Sequence, residues 1–308
     1  MEAKVIRDFF ISLFIKILLW AESGDGDIHG GNSPAFRGGS VGDCDGDWKR
    51  GAGAITLMIL SNVPQKHCLS NEGKLVPLVD INQKELGKVM VIFAHPDDAE
   101  GNCGGTTAKW VREGKVVYYL VLTNGDKGSW DLSMTSEKLA KIREKEQEAA
   151  AKVLGVSKVI FLGIPDGELE VSLSLRKEIS RLIRLHQPSF IFTHDPWKPY
   201  QIHPDHRATG FLALDAAVAA RDHLYYPDQL PQGLKPCRVK ECYLFGTESP
   251  DFWVDISECI ELKLQAVRCH QSQGLASREV QERIRNRALE VGKIKGFLYA
   301  EAFKRIVM

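Results

Sequence analysis

The sequence has no excess charge of either sign, few cysteines and no nucleotide-binding fingerprint. Lys plus Arg and Asp plus Glu each count 40 in 308 residues, so the formal net charge is zero. This balance argues against a general nucleic-acid binder, which normally carries a basic surface. The seven cysteines are odd in number and form no Cys-x-x-Cys pair. We therefore expect a reducing compartment, the cytoplasm, in place of a disulfide framework. The Gly101–Gly105 segment lacks the Gly-x-Gly-x-x-Gly spacing of dinucleotide binders, and no P-loop occurs.

A long apolar run is also lacking. The stretch Phe9–Trp20 is 12 residues long and is interrupted by Lys16. A membrane-spanning helix needs about 20 apolar residues, so we do not expect an anchor. A secretory leader stays an alternative because this length suits its apolar core, although the residues before it carry no net positive charge and no clear cleavage site follows.

The first quarter of the chain differs in composition from the rest. Ten of the 27 glycines lie in residues 24–53, which contain few large apolar residues. Such a segment buries little surface, and we expect residues 1–80 to be a disordered or peripheral extension before a catalytic domain at 81–308. A second hypothesis is that the true start is Met58.

Alternating carboxylates in this extension are compatible with a calcium loop at first sight. Asp43, Asp45 and Asp47 have the spacing that opens an EF-hand. Trp48 and Ala54 stand where that loop requires Gly and Glu, so we interpret the carboxylates as part of a solvated tail.

From residue 88 onward, short β-branched runs alternate with amphipathic segments. The apolar runs predict strands at 88–94, 116–122, 158–162, 189–193, 239–245 and 252–256. The segments between and after them predict helices at 103–114, 136–154, around 175–183, 204–221, 259–271 and 277–294. This alternation predicts an α/β fold, a Rossmann-like, doubly wound and mainly parallel sheet flanked by helices.

Two clusters of histidine and aspartate follow predicted strands. The first strand runs into Ala94–Asp98 (AHPDD), and the fourth runs into Thr193–Trp197 (THDPW) and then His203–His206 (HPDH). In doubly wound folds the functional loops gather at the carboxyl ends of the strands. Imidazole and carboxylate are ligands that zinc prefers. The sequence therefore predicts a metal site at this edge of the sheet.

The spacing within the clusters also favours hydrolysis. His95, Asp98, His203 and His206 are four candidates for the three protein ligands of a catalytic zinc, which leaves one histidine for chemistry. The additional carboxylate of Asp97 suits a general base that deprotonates water. The spared histidine would stabilise an oxyanion and protonate a leaving amine. Either cluster taken alone is equally compatible with loop-forming and helix-capping residues.

These motifs resemble the PIG-L/LmbE-like family of zinc-dependent N-deacetylases. The resemblance covers roughly residues 86–306. Its matching motifs are HPDD (95–98), TNGDKG (123–128), Arg143 through Glu146 before LGV (154–156), LGIPDG (162–167), HPDH (203–206) and AEAF (300–303). The segments DPWKPY (195–200) and ELK (261–263) before His270 are similar to the archaeal diacetylchitobiose deacetylase branch.

The resemblance implies a role for each site residue. It places the metal ligands at His95, Asp98 and His206, the general base at Asp97 and the oxyanion-stabilising, amine-protonating histidine at His203. It also implies contacts with sugar hydroxyl groups at Arg143 and Asp166. From the residues alone, Arg143 is equally an exposed helix charge, and Asp166 lies in a Pro-Asp-Gly turn.

The expected function is zinc-dependent removal of the N-acetyl group from an N-acetylglucosamine-containing sugar or conjugate. We expect one zinc ion per chain, with other divalent metals also compatible, a small-molecule amino-sugar substrate, no nucleic acid and a homo-oligomer. Two alternatives remain. One is a membrane-associated glycolipid deacetylase that uses Phe9–Trp20, and the other is a non-catalytic, metal-stabilised sugar-binding module.

Overall fold

The computed structural model describes residues 67–69, 75–77 and 87–308. The apolar stretch Phe9–Trp20, the Asp43–Asp47 series and the alternative start Met58 lie outside the described residues. Two short strands, β1 (His67–Leu69) and β2 (Leu75–Pro77), pair in antiparallel fashion. Within the described ranges, no helix is long and apolar enough to cross a membrane.

In residues 87–308 seven further strands form one sheet, and six α-helices accompany them. The strands are β3 (Lys88–Phe93), β4 (Val116–Thr123), β5 (Lys158–Ile164), β6 (Phe190–His194), β7 (Glu241–Phe245), β8 (Phe252–Asp255) and β9 (Ala300–Val307). The helices are α1 (Asp98–Arg112), α2 (Ser136–Leu154), α3 (Leu173–His186), α4 (Pro204–Arg221), α5 (Ile260–Val267) and α6 (Arg278–Lys293), with short 3₁₀ turns at Pro227–Gln232 and Gln271–Gln273.

The strand order in the sheet is β5-β4-β3-β6-β7-β9-β8. Strands β3 to β7 are all parallel to one another, whereas β9 runs antiparallel to both of its neighbours, β7 and β8. The chain adds β4 and then β5 on one side of β3, and β6 then pairs with the other side of β3. The expected doubly wound, mainly parallel α/β fold is confirmed, and its topological switch point lies between β3 and β6.

The central strands are apolar throughout because both of their faces are buried. Val89, Val91 and Phe93 of β3 belong to the core on one face, with residues of α1, α2 and α5. Met90 and Ile92 belong to the core on the other face, with residues of α3 and α4. Since successive side chains of a strand point to opposite faces, a continuous apolar run is what such a strand requires.

The structure corrects two predictions. Helix α1 begins at Asp98, five residues earlier than expected, because the polar HPDD segment itself starts the helix. Strand β9 was not predicted, since Glu301, Lys304 and Arg305 interrupt its apolar residues. Burial of Glu301 on this strand is explained by a lysine partner, which a strand pattern does not reveal.

Candidate metal centre and active site

Both predicted clusters lie at the switch point of the sheet. His95 and Asp98 follow the end of β3, where Asp98 opens α1. His194 closes β6, and His203 is the N-cap residue of α4, with Pro204 at the first helical position. The fixed φ of proline suits that position, so the HPDH segment starts a helix as expected.

Three side chains bring ligand atoms to within tetrahedral spacing of one another. His95 Nδ1 lies 3.2 Å from His206 Nε2 and 3.4 Å from Asp98 Oδ2. His206 Nε2 lies 3.3 Å from Asp98 Oδ1. Ligand atoms at about 2.0–2.1 Å from a tetrahedral zinc ion are separated by about 3.3–3.4 Å. The donor set and its spacing therefore fit a divalent metal ion.

Other side chains share this neighbourhood. Three overlapping groups place one ligand atom per residue within 4.8 Å of one another; they are His95/His203/His206, His95/Asp166/His203/Asp205 and Asp98/His194/His206. The structure therefore brings all four predicted candidates together, and it adds His194, Asp166 and Asp205 to them. Two of these additions, His194 and Asp205, had no role predicted from the sequence.

His194 contacts both the backbone before His95 and the carboxylate of Asp98. The backbone N–H of Ala94 donates to His194 Nε2 at 3.3 Å. Burial lowers the pKa of His194 against the opposing carboxylate of Asp98, whose Oδ2 lies 3.3 Å from the same ring nitrogen. His194 thus ties β6 to the end of β3, where Ala94 precedes His95.

Asp205 supports His95 from the side opposite the three ligand atoms. Its carboxylate is fully buried, and Oδ2 lies 3.1 Å from His95 Nε2. The backbone N–H of Gly167 also donates to Oδ2, at 2.7 Å. A metal-ligating histidine usually donates its second N–H to a carboxylate, and Asp205 occupies that place. The sequence signal for it was the aspartate within HPDH.

The charges around His95 are unbalanced. Burial acts to lower the pKa of His95, but the three carboxylates that face its ring outweigh burial and raise it to about 11. Burial acts to raise the pKa of Asp98, whereas the facing rings of His194 and His206 hold it well below its usual range. A proton on His95 thus compensates negative charge that a metal cation would otherwise neutralise.

Asp97 lies beside this cluster and is held by α2. Arg143 Nη2 donates to Asp97 Oδ2 at 3.1 Å and to Pro96 O at 2.6 Å. Burial and the neighbouring Asp98 raise the pKa of Asp97 to about 7, against the opposing charge of Arg143. Asp97 is thus a carboxyl group outside the three-ligand set, tuned toward neutral pH.

Arg143 is a buried residue and not an exposed helix charge. Its relative exposure is 3%, and Nη1 donates to Gly125 O at 2.8 Å. Gly125 has φ +63°, and a Cβ at this position would collide with the guanidinium. The TNGDKG segment therefore needs glycine here for both conformation and close approach.

Asp166 is buried beside His95 while remaining a turn residue. Its Oδ1 lies 3.0 Å from His95 Nε2 and 3.7 Å from His203 Nε2. Its backbone N–H donates to Asp126 Oδ1 at 2.8 Å, and its carbonyl accepts from Lys127 Nζ at 2.6 Å. The TNGDKG and IPDG loops therefore fix each other.

His203 stands at the more open side of the cluster. Its side chain is 40% exposed, and its ring stacks on His206 at 4.8 Å between centroids. Burial and the neighbouring rings of His95 and His206 lower its pKa. Its Nδ1 is buried with no hydrogen-bond partner among the described residues. Of the histidines in this cluster it is the most exposed, and so the most open to a bound molecule.

The chain is similar to a known protein family and to individual deacetylases. Residues 90–217 match the model of the PIG-L family, described as GlcNAc-PI de-N-acetylase. Diacetylchitobiose deacetylase of Thermococcus kodakarensis is 38% identical over 224 residues, which cover 71% of this chain and 83% of that protein. A probable N-acetyl-α-D-glucosaminyl L-malate deacetylase 2 of Bacillus anthracis is 28% identical, over 60% of this chain and 80% of that protein.

A solved structure shows the same fold. N,N'-diacetylchitobiose deacetylase from Pyrococcus horikoshii, in complex with its inhibitor MPG, aligns with a TM-score of 0.69 and 32% identity. The alignment covers 86% of this chain and 94% of that one.

Proposed function

The chain belongs to the PIG-L family, and from this premise we propose that it is a zinc-dependent hydrolase of N-acetylated amino sugars. The proposed reaction removes the acetyl group from an N-acetylglucosamine-containing sugar or conjugate. The observation that carries the proposal is the juxtaposition of His95, Asp98 and His206 at tetrahedral spacing with a separate carboxyl group, Asp97, beside them.

His95 Nδ1, the Asp98 carboxylate and His206 Nε2 would hold the metal ion. Two imidazoles and one carboxylate suit zinc, and they leave a coordination position open. When present, the metal would lower the pKa of a water molecule and polarise the acetyl carbonyl. His95 would then lose its proton on Nδ1 and keep its N–H on Nε2, directed at Asp205.

Asp97 is the proposed general base. Its carboxylate takes a proton from the attacking water, and Arg143 holds one of its oxygens in place at 3.1 Å. A pKa near neutrality allows the group both to accept and to release that proton at physiological pH. A metal-stabilised sugar-binding module would have no use for such a carboxyl group.

His203 is the proposed oxyanion-stabilising and amine-protonating residue. It would donate a hydrogen bond to the developing oxyanion and a proton to the leaving nitrogen. The C–N bond breaks, and the products are acetate and a free amino sugar. Its exposed edge suits contact with a substrate. The ring acts as an acid in its protonated form, and the proton that Asp97 takes from the water is released to solvent after the products leave.

Asp166 and Arg143 are the proposed substrate-side residues. Asp166 lies between His95 and His203, where a sugar hydroxyl group would approach. Arg143 would contact a sugar hydroxyl group from its position under the TNGDKG loop, where it donates a hydrogen bond to the carbonyl oxygen of Gly125.

A small sugar substrate in the cytoplasm and a homo-oligomeric assembly complete the proposal. Large apolar side chains are exposed on the two loops that follow β4 and β6, namely Trp130, Leu132, Tyr200 and Ile202. Burial of such residues by a second copy of the chain would remove apolar surface from water.

The test is acetate release from a panel of acetylated amino sugars by protein that is stripped of metal and then reloaded. We expect acetate and free amine in equal amounts from at least one N-acetylglucosamine compound, only in the reloaded protein. Binding of a sugar without acetate release from any compound would instead support the binding-module alternative.

A further inference from the structure

Asp97 has a backbone conformation that a non-glycine residue rarely adopts. Its φ is 102° and its ψ is −25°. Such a conformation is unfavourable for a residue with a side chain and persists only where the surrounding structure enforces it. The residues that enforce it therefore determine where the Asp97 carboxylate lies.

Two side chains one turn apart on α2 hold this segment. Arg143 donates to the carbonyl oxygen of Pro96 at 2.6 Å, and Gln147 Oε1 accepts the backbone N–H of Asp97 at 3.0 Å. Residues four apart on a helix share a face. Arg143 and Gln147 therefore bind the carbonyl oxygen and the N–H of the same Pro96–Asp97 peptide group.

Gln147 is itself held by a buried carboxylate. Its Nε2 donates to Glu100 Oε1 at 2.8 Å, and Glu100 Oε2 lies 3.2 Å from His270 Nε2. The side chains of Gln147, Glu100 and His270 are all fully buried. Because Nε2 must face the Glu100 carboxylate, the amide of Gln147 can present only its oxygen to Asp97.

We propose that Gln147, Glu100 and His270 are positioning residues that set the Asp97 carboxylate for proton transfer. This inference rests on the proposed function, in which Asp97 is the general base. None of the three belongs to the ligand groups around His95. His270 lies after α5 and Gln147 lies inside α2, so the chain of hydrogen bonds locks two helices onto the loop that carries the base.

The test exchanges the donor and the acceptor of the Gln147–Glu100 hydrogen bond. In Q147E two carboxylates face each other, and in E100Q one amide oxygen must serve the two donors, Gln147 Nε2 and His270 Nε2, that the two oxygens of Glu100 accept from. In the double variant E100Q/Q147E the amide of residue 100 donates to the carboxylate of residue 147, whose other oxygen still accepts from Asp97. The oxygen of residue 100 then accepts from His270. The double variant thus restores every bond without changing the net charge.

We expect each single variant to lower kcat for deacetylation by about tenfold to a hundredfold, with unchanged KM and one metal per chain. The double variant should return kcat to within a few-fold of the wild type. Gln281 is a matched control, because this buried glutamine donates to Leu275 O far along the chain on α6. Gln281→Met should lower the melting temperature and leave kcat unchanged.

Hydrogen exchange of the 94–101 segment gives a readout that does not depend on activity. The Asp97 amide should exchange faster in both single variants and return to the wild-type rate in the double variant. If the wild type releases no acetate from any sugar, the proposed function fails, while this exchange pattern still reports the positioning. Single variants with wild-type kcat and exchange, or a double variant no better than the worse single one, would overturn the inference.

Discussion

Helix α1 contacts two buried charged clusters that differ in how they are neutralised. Beside its middle, Lys263 and Glu301 form an ion pair, and both residues are about 95% buried, with relative exposures of 3% and 5%. At its first turn, Asp98 faces histidine rings and lies beside further carboxylates. We call the first the closed cluster, because its charges neutralise each other within the protein, and the second the open cluster, because its charges do not.

The closed cluster supplies hydrogen-bond partners to backbone groups at an irregular point in α1. Cys103 has a non-helical backbone, which frees a carbonyl before it and amides after it. Lys263 Nζ donates to Gly101 O at 2.8 Å, and Glu301 accepts from the amides of Gly105 and Thr106 at 3.0 and 2.7 Å. The Lys263 ammonium, both Glu301 oxygens and the named backbone groups all have partners, so the role of this group is structural.

The open cluster contains acceptors that face each other. His95 Nδ1 and His206 Nε2 lie 3.2 Å apart and can form a hydrogen bond only if one of them carries a proton. Three carboxylates, Asp98, Asp166 and Asp205, approach the same imidazole. A metal cation would supply the positive charge that this group lacks. The comparison teaches that carboxylates and ring nitrogens converging on one another without a matching cation, and not burial of charge as such, mark the chemical site.

The largest effect should follow removal of a proposed metal ligand. In His206→Ala we expect the metal content to fall from one ion per chain toward zero and activity to be lost with it. Elemental analysis after gel filtration measures the first, and acetate release measures the second. Full metal content in this variant would show that the ligand set is wrong.

Removal of the base should separate metal binding from catalysis. Asp97→Asn leaves the three ligands intact, so we expect one metal per chain and a decrease in kcat of about 10²–10⁴-fold. Asp98→Asn is the matched control, because the neighbouring carboxylate should lose metal instead. Near wild-type turnover of metal-loaded Asp97→Asn would remove Asp97 from the base role.

His203 should contribute somewhat less. His203→Gln keeps a hydrogen-bond donor but cannot pass a proton to the amine, and we expect kcat to fall by about 10²–10³-fold with metal retained. Substrates with better leaving groups should lose less activity, since they need less help from an acid. Equal losses for all leaving groups would contradict proton donation by His203.

The closed cluster should have the smallest effect on catalysis. Lys263→Met leaves Glu301 buried and unpaired, so the free energy of unfolding should fall by about 3–5 kcal/mol. Metal content and kcat per folded chain should stay close to the wild type. Denaturant unfolding and active-site titration measure the two quantities. A loss of metal in this variant, without unfolding, would mean that the two clusters are not separate.

The sequence predicted the parts of the molecule whose signals are local. The apolar runs of β3 and β6 and the polar residues that follow them located the switch point and its histidines. The partners that complete the site come from distant positions and carry no pattern of their own. Gln147 lies among the charged residues of α2, and burial of Glu301 depends on Lys263, 38 positions away. Such pairings exist only once the fold brings them together.

The central claim is that one metal ion at His95, Asp98 and His206 supports deacetylation. The most direct measurement adds zinc in steps to stripped protein and records acetate release from N,N'-diacetylchitobiose, or from the best sugar of the panel, after each step. We expect the rate to rise in proportion to zinc and to stop rising at one equivalent per chain. Full activity in the stripped protein, or no acetate from any acetylated amino sugar at one bound zinc per chain, would contradict the claim.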